Sequence, residues 1–245
     1  MRFIRELLGV VNVGPTPPPI LSLSDGGHVE NLGILPLLKR KLERIVVINA
    51  GCVNEDLGLA HSLLYALNQA REKLHCSFSA EDGRDVHEGI RVAVIDRLPG
   101  KQPRSYRFKV EYYDFTTKGE EEKVGEGEIL YILPRHPTLG LSGQRRNWDE
   151  ITDDVKIDIE ADLWGSGPDL EPEEVDRLTC CCSECCHCSL LQLLPGSFCG
   201  VFPNHVTANQ FFTPAMFSAY HREGYRACME ARADEFPWRF GNSSE

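Results

Sequence analysis

With 245 residues and 42% hydrophobic content, the chain is long enough to bury a sizeable core. A net charge of −11 argues against nucleic acid, or an anionic membrane, as a partner found by overall charge alone. The excess is local: residues 148–176 hold 12 acidic residues and one lysine, so the rest of the chain is balanced.

Residues 1–19 form a proline-rich lead-in that closes on Gly14-Pro15-Thr16-Pro17-Pro18-Pro19, extended and non-helical by composition. Two arginines, Glu6 and a short apolar run at its start make a poor signal peptide. No run of about 18 apolar residues encodes a transmembrane helix. Ile20-Leu21-Ser22-Leu23 then reads as a short strand, with Asp25 at its end on a turn made by Gly26 and Gly27. Open α/β sheets place their chemistry at such strand ends. Taken alone, however, most aspartates there simply cap the next helix.

A helical period over 29–41 follows, with Pro36 inside it, and Ile45-Val46-Val47-Ile48 reads as a strand buried on both faces. Ala60, Leu63, Leu64, Leu67, Ala70 and Leu74 give an amphipathic helix over 57–74. Strands are expected at 90–95, 106–112 and 128–133, with a charged hairpin loop over 118–127. Val155, Ile157, Ile159, Ala161 and Leu163 alternate with charged residues as in a half-buried strand. A calcium loop at Asp158-x-Glu160-x-Asp162 lacks its glycine and its closing glutamate. Glu171-Pro172-Glu173-Glu174 reads as a helix opening or an acidic linker, and Thr213-Pro214 as a helix start. Phe217, Tyr220, Tyr225 and Cys228 are expected along one side of that helix, and the tail beyond Glu235 to fray.

Ser24-Asp25-Gly26-Gly27-His28-Val29-Glu30-Asn31-Leu32-Gly33, followed by Arg44-Ile45-Val46-Val47-Ile48-Asn49-Ala50, resembles the aspartate block of patatin-like phospholipases. Phe202-Pro203-Asn204-His205-Val206-Thr207-Ala208-Asn209-Gln210-Phe211-Phe212, with the helix after it, is similar to the C-terminal signature of the bacterial-type branch of that family. The histidine stands one place later here, and Thr207 replaces a Ser-Thr pair. The resemblance implies an α/β fold, the C-terminal portion of a patatin-like three-layer α/β/α domain with a strand-rich extension. It divides the chain into a lead-in (1–19), the family core (20–147), an acidic and Cys-rich segment or insertion (148–200), the C-terminal block (201–235) and a tail (236–245).

The resemblance also implies a lipid acyl hydrolase acting on phospholipid or lysophospholipid esters. Asp25 would be the base of a Ser–Asp dyad, with Gly26, Gly27 and Asn31 supporting the motif. Such a protein takes a lipid or membrane-surface substrate, not nucleic acid, and suits a cytoplasmic or membrane-peripheral location. The sequence contains no Gly-x-Ser-x-Gly; Gly140-Leu141-Ser142-Gly143 comes nearest and lies after Asp25 rather than before it. The expectation is therefore a fragment carrying half of the dyad, inactive alone, and the alternative is a non-catalytic protein that keeps the fold.

That alternative would draw on Cys180-Cys181-Cys182-Ser183-Glu184-Cys185-Cys186-His187-Cys188, which holds six of the ten cysteines. A secreted disulfide scaffold would spread its cysteines through a shorter chain. Cys182, Cys185, Cys188 and Cys199 have the residue type and spacing for a tetrahedral zinc site, although adjacent cysteines cannot all face one ion. The other readings are a palmitoylated patch and a low-complexity loop without a site.

Overall fold

The computed structural model describes residues 30–51, 60–98, 101–137, 170–178, 201–205 and 212–238, a mixed α/β arrangement. Its centre is a four-stranded sheet of Arg44–Ile48 (β1), Cys76–Ala80 (β2), Ser105–Phe115 (β3) and Glu121–Ile132 (β4), in the order β1-β4-β3-β2. β1 runs parallel to β4, and the other neighbours are antiparallel. Period-two alternation sorts the side chains onto two faces. Ile45, Val47, Phe78, Phe108, Val110, Tyr112, Ile129 and Tyr131 enter the larger core, which is closed by Ile34–Lys39 (α1), His61–Leu74 (α2) and Val86–Ile90 (α3). On the other face Val46, Leu130 and Ile132 meet Ala227, Ala231 and Phe236. Ala227 belongs to the helix Pro214–Glu230, Ala231 to the turn after it and Phe236 to the 3-10 helix Phe236–Trp238, with the short helix Pro172–Asp176 (α4) preceding Pro214–Glu230 (α5) in the chain.

Local chemistry sets the helix ends. Glu30 accepts the Leu32 N–H at 2.7 Å and the Leu35 N–H at 3.4 Å, so this carboxylate holds the donors at the start of α1. The helix is shorter than the 29–41 period suggests, because Gly33 sits at φ 66 just before it. Pro36 falls in its first turn, where no intrahelical N–H bond is lost. In α2 the buried stripe is Leu63, Ala66, Leu67 and Ala70, as the spacing requires. Thr213 Oγ1 accepts the Met216 N–H at 3.2 Å, with Pro214 at the first helical position of α5. Of the two readings of 171–174, the helix opening is the one found.

Further expectations are corrected. Residues 90–95 are not a strand: α3 runs on into a π-helical stretch, Arg91–Ile95. Val86, Ile90 and Val94 are buried at helical spacing while Val92 is 40% exposed, so the apparent alternation fails at Val92. The expected loop at 118–127 is mostly β4, since the turn between β3 and β4 occupies only 116–120. β1 is buried on both faces only in part, for Ile48 at its end is 56% exposed. The buried stripe of α5 is Met216, Ala219, Arg222, Glu223, Arg226 and Ala227, whereas Phe217 is 69% exposed.

Chain beyond Glu235 is also ordered into the fold at its first residues. Phe236 is fully buried, with the Arg44 and Arg107 guanidinium carbons 5.2 and 5.5 Å from its ring centroid. Gly127 of β4 lies close against the chain that leads into β1: a Cβ there would lie 2.8 Å from the Leu42 carbonyl oxygen and 2.9 Å from that of Glu43. Both obstacles are backbone and cannot swing aside. Gly127→Ala should therefore lower unfolding free energy by about 1–3 kcal/mol, read by urea denaturation. An unchanged midpoint would mean that the chain leading into β1 yields freely.

Candidate functional site

Because β1 and β4 are parallel, their carboxyl ends lie side by side, the position at which α/β sheets bind ligands. Asn49, one residue past β1, ties them together. Its backbone N–H donates to the Ile132 carbonyl at 2.9 Å, and its Nδ2 donates to the Tyr131 hydroxyl at 2.8 Å. Its Oδ1 accepts the Gly51 N–H at 3.1 Å and shapes the turn. Over this end passes α5, leaving a pocket of about 370 Å³ walled by Ile48, Ile132, Pro134, Tyr220, Tyr225 and Cys228. Burial pushes the Tyr131 hydroxyl up to about 12, against the lowering effect of the Asn49 bond, and burial also raises the Cys228 thiol. Both groups stay neutral near pH 7. The pocket can hold an apolar chain, and its walls offer no activated nucleophile.

One buried ion network seats α5 on the sheet. Arg104, just before β3, donates from Nε to Glu223 at 2.8 Å and from Nη1 to both Glu230 oxygens at 2.7 and 2.9 Å. Arg226 adds a bond to Glu230 at 3.1 Å, and the Arg135 backbone N–H donates to Glu223 at 2.8 Å. The side chains of Arg104 and Glu223 are each 1% exposed. Burial opposes the Arg104 charge, but Glu223 and Glu230 outweigh it and raise its pKa, so the guanidinium stays charged.

A second polar group joins α5 to α4 and to residues 202–205. Arg222 donates to Glu174 at 2.8 Å, His136 Nε2 pairs with Asp176 at 3.1 Å, and His205 Nδ1 lies 2.9 Å from the Tyr220 hydroxyl. Phe202 packs on Tyr220 at 4.9 Å between centroids. Burial lowers the His205 pKa, partly offset by the Leu178 backbone, and burial followed by Arg71 lowers that of His87. Each imidazole binds its proton less readily in the folded chain than in the unfolded one. Stability should therefore fall as pH drops through the ordinary histidine range, about 6.5, toward the lowered folded values. A melting series from pH 8 to about 5 checks this. The decline should be shallower in His205→Gln, and an identical slope would assign the effect elsewhere.

Of the residues singled out by sequence, Asp25, Gly26 and Gly27 lie outside the described residues, as do Cys182, Cys185, Cys188 and Cys199, the acidic stretch 155–163 and Ser142. Asn31 is exposed ahead of α1, where Glu30 does the capping. Among the described residues, no group of three or more His, Cys, Asp or Glu side chains is placed to hold a metal ion. Among them, too, no helix is long and apolar enough to cross a membrane. The Arg104–Glu223–Glu230 network escaped sequence reasoning. Its signal was present, since Glu223, Arg226 and Glu230 recur at the same helical spacing as Met216 and Ala219.

No family model matches the chain, and no curated protein or solved structure does either.

Proposed function

We propose that the chain is the C-terminal portion of a patatin-like three-layer domain and carries the aspartate half of a Ser–Asp acyl-hydrolase centre. The observation that carries this is the Ser24-Asp25-Gly26-Gly27 block, set directly ahead of α1 and β1. Two features support it. Helices cover one sheet face and α5 packs on the other, and an apolar pocket opens at the carboxyl end of β1, the strand that follows the block.

In this reading Asp25 takes the proton of a serine hydroxyl as the serine attacks an acyl ester carbonyl. An aspartate of ordinary pKa is a weak base near neutrality, so the step needs close approach and partial desolvation of the carboxylate. The pocket, with mostly apolar walls, would receive the acyl chain of a phospholipid or lysophospholipid. The serine and the oxyanion donors would come from outside these 245 residues, since no Gly-x-Ser-x-Gly occurs within them. Two observations test the reading. Coding sequence upstream of Met1 should contain a Gly-x-Ser-x-Gly, and the 245-residue chain alone should hydrolyse lysophospholipid no faster than buffer. An upstream sequence without the elbow, or turnover by the chain alone, would overturn it.

A further inference from the structure

We infer that Gly224 sets the length of the alkyl chain accepted by the pocket at the carboxyl end of β1. Tyr220, Gly224 and Cys228 stand four residues apart in α5, which puts them in one row along the helix, and all three line that pocket. Gly224 is the gap in the row, between a ring and a thiol. A Cβ added there would meet no atom within 4 Å beyond its own helical turn, so the space beside it is pocket rather than packed protein. Other glycines have a visible reason to lack a side chain. Gly33, Gly83 and Gly119 turn the chain at positive φ, and at Gly89 and Gly127 a Cβ would clash. Neither reason holds for Gly224, inside the 17-residue α5. Glycine is among the poorest helix formers, so it weakens α5 where alanine would fit. Room for a ligand is what the missing side chain provides.

The walls suit an aliphatic chain. Ile48, Ile132, Pro134 and Ala227 supply hydrocarbon. The Tyr220 hydroxyl is already engaged, accepting the His205 backbone N–H at 3.2 Å and lying 2.9 Å from His205 Nδ1. The volume of about 370 Å³ holds roughly twelve methylenes, if each takes as much room as a water molecule, ~30 Å³. A leucine side chain at position 224 would take the room of about four of them. This role for Gly224 rests on the pocket receiving an acyl chain. It is read by binding without turnover, so it stands or falls separately from the Ser–Asp dyad.

The test is displacement of dansyl-labelled undecanoic acid from the full chain by octanoic and dodecanoic acids, each below its micellar concentration. Each added methylene should tighten binding about fourfold, so dodecanoic acid should bind about 10²-fold more tightly than octanoic acid. Gly224→Leu should weaken dodecanoic acid at least about tenfold and leave octanoic acid within about twofold. Gly224→Ala should raise the melting temperature and weaken dodecanoic acid by only about fourfold. The alanine variant carries the same chain-length comparison should leucine unfold the helix. An unchanged chain-length preference in both variants, or an equal loss for both acids, would overturn the role of Gly224 and leave the acyl pocket standing. A native chain that binds neither acid would overturn the pocket's occupant and this role together. A melting temperature lowered in Gly224→Ala would overturn the role as well, since it would mean that the space beside Gly224 is packed.

Discussion

Glu223→Ala should cost about 3–5 kcal/mol of unfolding free energy, because it strands a buried charge rather than merely deleting a contact. The Arg104 side chain is 1% exposed and would lose Glu223, while its other carboxylate partner, Glu230, is shared with Arg226. The Arg135 N–H would lose its acceptor in the same step. Glu223→Gln separates these effects, since its carbonyl can still accept from Arg135 while the charge is gone. Its cost should fall below that of alanine. Combining Glu223→Gln with Arg104→Met removes both members of the buried pair and should recover much of the single-mutant loss. Equal losses for alanine and glutamine would mean that the charge pairing contributes little and that the backbone bond dominates. Urea midpoints with unchanged slopes read all three variants on one scale.

Phe236→Ala should destabilise by a similar amount, about 3–5 kcal/mol, through a different mechanism. The ring fills the small core where Leu130 and Ile132 of β4 meet Ala227 and Ala231, and its removal leaves a cavity between strand and helix. Two guanidiniums also face the ring, Arg44 from β1 and Arg107 from β3. Phe236→Leu keeps most of the apolar volume but removes the aromatic face, so it isolates the cation–π share. That share should be about 1–2 kcal/mol for two partly desolvated cations. If leucine were as costly as alanine, the ring–cation contacts would outweigh the packing. Ending the chain after Glu235 should reproduce the alanine result, although the sequence there looks like a fraying tail.

That contrast shows where sequence patterning was sufficient and where it was not. α2 and α5 were legible because helical periodicity or a Thr-Pro cap is local information. β3 was legible in the alternation of Phe108, Val110 and Tyr112. β2 was missed because Cys76-Ser77-Phe78-Ser79-Ala80 is short and weakly apolar, and it becomes a strand by pairing with β3. The first half of β4, Glu121 to Gly127, is nearly all charged or glycine. It extends because the β3 partner holds it, a tertiary effect no window can show. Val92 misled in the opposite sense, as a β-branched residue on the exposed side of a helical turn. Phe236 follows Asp234 and Glu235 in a short segment without helical or strand periodicity, and its docking against β4 makes it core.

The candidate site divides the same way. Asp25 and its glycines were conspicuous in sequence because an apolar run, an acid and two glycines in tandem form a local pattern. The pocket was not, since its walls come from β1, β4 and α5, which are distant in the chain and meet only through the sheet and the buried network. Nothing in the spacing of Ile48, Ile132 and Cys228 announces that they share a cavity.

The most direct test of the hydrolase reading is lysophospholipid turnover by the protein that joins this chain to an upstream Gly-x-Ser-x-Gly, compared with its Asp25→Asn variant. Asparagine preserves the size of the side chain while removing the base. The account predicts that kcat falls by about 10²–10⁴ with folding unchanged. Undiminished turnover in the Asp25→Asn protein would contradict it.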